Sequence, residues 1–113
     1  MTNYLVFGDS VTQGFNDLTG GWVQRLRESL TLDDYVYNLG VDPIPWEPNL
    51  SYRSELVRQY NQAMKAVAEA EKLKFVDLFN LLPPEYIRTL ADGVHPDAAG
   101  HAMIFNLVKD VLK

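Results

Sequence analysis

The chain has 113 residues, 47% of them hydrophobic, and no cysteine, which suits one domain of modest core and excludes a disulfide framework, a thiolate metal site and a cysteine nucleophile. Ten basic against fifteen acidic residues give a formal charge of -5 and a pI near 4.8. That balance argues against nucleic acid or anionic lipid as a partner and favours a small neutral or cationic molecule.

Met1-Thr2-Asn3 opens without the basic start and long apolar stretch of a signal peptide or membrane span, so no membrane association and a cytoplasmic location are expected. Tyr4 to Phe7 is a continuous apolar run ended by Gly8-Asp9-Ser10, the pattern of a buried parallel strand entering a tight turn. From Gly21, Trp22, Leu26 and Leu30 recur every four residues with Arg25, Arg27 and Glu28 between them, which predicts an amphipathic helix stopped by Asp33-Asp34. Tyr35 to Gly40 is aromatic and β-branched and ends at glycine, a second strand. A proline-rich loop over Asp42 to Asn49 follows.

A long helix is expected from Ser51 to about Lys72, with Leu56, Tyr60, Met64 and Val67 along one face. Lys74 to Phe79 is a third strand candidate, and Pro83-Pro84-Glu85 opens a short helical turn before Asp92-Gly93. After His95-Pro96 an apolar stripe (Met103, Ile104, Leu107, Val108, Val111, Leu112) predicts a C-terminal helix packed on a sheet, weakened at Gly100. No repeat, low-complexity tract or linker divides residues 1–113. Strand-helix alternation with long crossovers predicts a small α/β three-layer sandwich, a parallel sheet of about three strands in flavodoxin-like order, helices covering both faces. Ser10 then sits at the switch point beside the end of the first strand, where ligands of open α/β sheets bind.

A serine there can attack a carbonyl if a base lies within hydrogen-bond reach and backbone N–H groups receive the oxyanion. On the tripeptide alone a turn or helix cap is the stronger reading. The second feature is Asp92-Gly93-Val94-His95-Pro96. Its spacing lets Asp92 fold back onto the Nδ1 proton of His95 and leaves Nε2 free to accept from a serine. A helix-capping aspartate beside an incidental histidine explains the same residues equally well. His101 lies inside a helical pattern, where surface or core packing is expected.

Taken together, Tyr4 to Gly14 (YLVFGDSVTQG), Tyr37 to Gly40 (YNLG), Pro45-Trp46-Glu47, Phe75 to Phe79 (FVDLF) and Asp92 to His101 (DGVHPDAAGH) resemble the GDSL or SGNH hydrolase family. Its members are esterases, lipases, thioesterases and carbohydrate deacetylases. The resemblance implies a serine hydrolase of small acyl esters or thioesters with Ser10 as nucleophile, His95 as general base and Asp92 as its orienting partner. The amides of Ser10 and Gly40 would form the oxyanion hole. Trp46, on its loop, is the candidate wall of the substrate pocket. No cofactor or metal is implied. The chain departs from the family in lacking a central segment with a Gly-x-Asn-Asp block, so the asparagine that donates to the oxyanion has no counterpart. Loss of one such donor costs about a hundredfold to a thousandfold in turnover. The alternative is a silent shortened remnant acting as a binding or self-associating module, with the sheet completed by a second chain in a homo-oligomer or domain-swapped dimer.

Overall fold

The computed structural model describes residues 2–31, 33–40 and 54–112. Two strands, β1 (Asn3–Gly8) and β2 (Tyr35–Gly40), pair in parallel from Asn3 opposite Tyr35 to Gly8 opposite Gly40. Parallel neighbours need a crossover, and here it comprises the single-turn α1 (Ser10–Gln13) and α2 (Gly21–Ser29).

Alternation along the strands decides what is buried. Val36 lies under α2, whose Val23 and Leu26 complete the buried cluster, and Tyr4, Val6, Trp22, Leu30 and Phe105 pack around it. The opposite face of the sheet carries Leu5, Phe7, Tyr35, Tyr37 and Leu39, all exposed. Strands that carry apolar residues on both faces are the mark of a sheet meant to be covered on both sides.

Beyond β2 come α3 (Ser54–Ala70), α4 (Leu78–Leu81), a 3-10 helix (Pro84–Thr89) and α5 (Ala98–Leu112). The α/β sandwich class holds, with a parallel sheet and helices against it, but among the described residues no third strand forms. Lys74 to Asp77 makes no sheet pairing, and the Asp77 side chain accepts from the Asn80 backbone N–H at 3.3 Å, starting a helix at Leu78. Local capping thus wins over the strand-like composition of this short apolar run.

The C-terminal helix lies where the stripe predicts, yet its main partner is α2 rather than the sheet. Ile104 is buried and Phe105 joins the core cluster. Gly100 serves that packing. A Cβ there would lie 2.3 Å from the Thr89 hydroxyl oxygen and 2.5 Å from the Pro96 Cβ, so the 3-10 helix and the start of α5 meet only because the side chain is absent. No helix among the described residues is long and apolar enough to cross a membrane.

Candidate active site

The turn after β1 assigns separate tasks to two adjacent residues. Asp9 is the N-cap of α1 and accepts from the Val11 N–H at 3.0 Å. That cap satisfies one of the donors a helix start leaves open. The Ser10 hydroxyl is therefore not needed for capping. It lies 2.9 Å from Nε2 of His95, 85 residues away, and Ser10 is buried.

His95 is held from two sides. Its Nδ1 lies 2.5 Å from Oδ2 of Asp92, while Oδ1 of the same carboxylate accepts from the backbone N–H groups of His95 at 2.7 Å and Val94 at 2.9 Å. Gly93 makes the tight bend with φ of 82°, a left-handed conformation that suits glycine. These N–H donors, the backbone amide of His95 first, hold the Asp92 carboxyl far below the usual carboxylate range. Asp92 therefore stays ionised at neutral pH and keeps the ring proton on Nδ1, so that Nε2 faces the serine as an acceptor. On the other side the Phe15 ring sits 4.5 Å from the imidazole, centroid to centroid, at a 50° tilt.

A second histidine supports the loop that carries Phe15. His101 is fully buried, receives the Trp22 backbone N–H on Nδ1 at 3.3 Å and donates from Nε2 to the Phe15 carbonyl at 3.1 Å. Both ring nitrogens are used, which makes it a core brace. The same loop is tied by Asp17, whose buried carboxylate meets Arg25 Nη1 at 2.5 Å and the Thr19 hydroxyl at 2.6 Å. Arg25 also reaches the carbonyls of Gly21 and Ala98 at 2.9 and 3.3 Å. Burial raises the Asp17 carboxyl, but the Thr19 and Arg25 donors outweigh it and bring it to about 2.

The expected oxyanion donors fare differently. Ser10 is the first residue of α1, where backbone N–H groups have no intrahelical acceptor. Gly40 does not offer a free N–H: its amide donates to Oδ1 of Asn38 at 3.0 Å, and Nδ2 of Asn38 donates to the Thr12 carbonyl at 2.8 Å. The glycine matters for close approach instead, since a Cβ would lie 2.5 Å from the Gln13 backbone nitrogen. Asn38, Phe15 and the Asp17–Arg25 pair are the supports that motif reading missed. Only Asn38 left a signal, as a polar residue inside an apolar strand. Trp46, expected to wall the pocket, lies outside the described residues.

A model of the GDSL-like lipase/acylhydrolase family matches residues 35–103, more than half of the chain. The chain belongs to that family. The match runs from the start of β2 into α5, so it includes Gly40, Asp92 and His95, while the Ser10 turn lies before it. Membership supports a general acylhydrolase or esterase function. No curated protein and no solved structure matches the chain.

Proposed function

We propose that the chain is a serine acylhydrolase that cleaves small esters or thioesters through an acyl-enzyme. The observation that carries this reading is the continuous relay from Ser10 Oγ through His95 to Asp92, 2.9 and 2.5 Å long. A nucleophile, a base in contact with it and a carboxylate orienting the base is the arrangement that activates a serine.

In the reaction the Ser10 oxygen bonds to the substrate carbonyl carbon as its proton passes to His95 Nε2. The carbonyl oxygen becomes an oxyanion beside the Ser10 N–H. The intermediate collapses, the bond to the leaving alcohol or thiol breaks, and that group takes the proton from Nε2. Water then attacks the acyl-serine by the same route, releasing the acid and restoring Ser10. With Asn38 holding the Gly40 amide and no counterpart to the family asparagine, oxyanion stabilisation is thin. We therefore expect slow turnover, reduced by about a hundredfold to a thousandfold for each absent donor.

A fluorophosphonate should label Ser10 rapidly, and a short-chain p-nitrophenyl ester should be hydrolysed by the wild type and not by Ser10→Ala. Labelling without turnover would support a second reading favoured by the engaged Gly40 amide: an activated serine on a fold that has lost its oxyanion site. Hydrolysis that persists in Ser10→Ala, or an unlabelled Ser10, would overturn the mechanism.

A further inference from the structure

Helix α3 leaves almost its whole surface in water: among its described side chains only Asn61 and Ala68 are buried. The residues it turns toward the rest of the chain are Arg58, whose guanidinium lies 5.9 Å from the Phe79 ring centroid, Asn61, which donates to Asp77 at 2.8 Å, and buried Ala68. These fall on one side of the helix. At 100° per residue, Leu56, Tyr60, Met64 and Val67 form a stripe centred roughly 120° round the helix from them, where Tyr60 is 72% and Val67 61% exposed. A helix of this amphipathicity is stable when the apolar stripe is covered.

The sheet has the matching defect. Leu5, Phe7, Tyr35, Tyr37 and Leu39 form one contiguous face because Leu5 pairs with Tyr37 and Phe7 with Leu39 in register; Phe7 is 72% exposed and Leu5 60%. Aromatic side chains bring about 150–250 Å² apiece, so each of the two faces leaves on the order of 500 Å² of apolar surface in water, the size at which patches on monomers become functional.

We infer that the chain forms a two-fold homodimer in which the Leu56–Val67 stripe of each α3 covers the open sheet face of the other copy. The occupant is a second copy because one chain carries both halves of the contact. Reciprocal exchange covers all four faces at once and closes without unpaired surface, whereas an unrelated partner would need two separate complementary surfaces. Covering two stripes and two sheet faces removes roughly 2,000 Å², against the 1,200–2,000 Å² that stable interfaces bury. Phe7 and Leu39 precede Gly8 and Gly40 at the Ser10 end of the sheet, so the covered face extends to the strand ends that lead into the Ser10 turn. The dimer does not depend on the hydrolase reading, because its evidence is the two apolar faces.

Sedimentation at micromolar concentration tests it, with a helix-face variant (Tyr60→Glu, Met64→Glu) and a sheet-face variant (Phe7→Asp, Tyr37→Glu). The wild type should sediment at twice the 12.8 kDa chain mass, and each variant alone as a monomer. Mixed in equal amounts, the two variants should dimerise again. One of the two contacts in the mixed pair then joins an intact helix to an intact sheet, while neither variant alone has any. Helical circular dichroism should stay unchanged in both, since every altered side chain is exposed. A monomeric wild type, an open-ended oligomer, or a mixture that stays monomeric would overturn the inference; the first and last are expected if α3 folds onto its own sheet or if another molecule covers these faces.

Discussion

Asp92 carries three hydrogen bonds on two oxygens, and that load predicts what its substitution does. It accepts from two backbone N–H groups and from the His95 ring, all donors, which only a carboxylate satisfies together. In Asp92→Asn one oxygen becomes an NH₂ group, so at least one contact becomes donor against donor, and the ring loses the partner that keeps its proton on Nδ1. Turnover should fall by about a hundredfold to ten-thousandfold with KM little changed, because the residue acts through His95 and not on bound ester. Steady-state ester kinetics decide it, and a KM change with unchanged kcat would contradict the assignment. This pair was legible in the sequence because its members lie only three positions apart. Phe15 and Asn38 were not: the first meets His95 from 80 residues away, and the second acts through a glycine amide whose commitment no motif records.

At the scale of elements, the strands and helices with strong apolar periodicity stand where the pattern puts them, within a residue or two at β1, β2 and α2. The failure at Lys74 to Phe79 is instructive. Phe75, Val76, Leu78 and Phe79 satisfy a strand and a short helix alike, and the choice falls to Asp77, which caps Asn80 and binds Asn61 of α3. No pattern within the segment reveals the tie to Asn61, 16 residues earlier. It also makes Asn61, which is buried, the polar anchor of α3. Asn61→Ala removes that donor and should cost about 1–2 kcal/mol. It should act locally, speeding amide hydrogen exchange across α3 and Leu78–Leu81 while α2 and α5 keep their protection. A uniform rise over the whole chain would mean that α3 is no separate unit.

For the whole molecule, the acidic surplus adds a pH dependence whose sign the carboxyls fix. Asp17 lies at about 2. Asp34 is lowered chiefly by the Thr31 hydroxyl, Asp77 chiefly by the Asn80 side chain, and Asp92 chiefly by the His95 backbone N–H. All four hold protons less tightly folded than unfolded, where the reference is 3.8. The unfolded chain therefore takes up protons first on acidification, and stability falls as pH falls. The contribution is complete above about pH 5 and is lost progressively from about pH 4 to pH 2 for Asp17, and to still lower pH for Asp92. Asp17→Asn keeps the shape of the side chain and removes one titration. At pH 7 it should be the less stable protein, because Arg25, held among the carbonyls of Gly21 and Ala98, loses its counter-charge. Toward pH 2 the wild type loses the same interaction by protonation, so the urea midpoints of the two proteins should converge. General charge repulsion at low pH acts on both chains and cancels in the difference. Curves that stay parallel from pH 7 to pH 2 would show that the Asp17 carboxylate contributes nothing to folding, and that the loop bearing Phe15 is held by His101 and its own backbone hydrogen bonds.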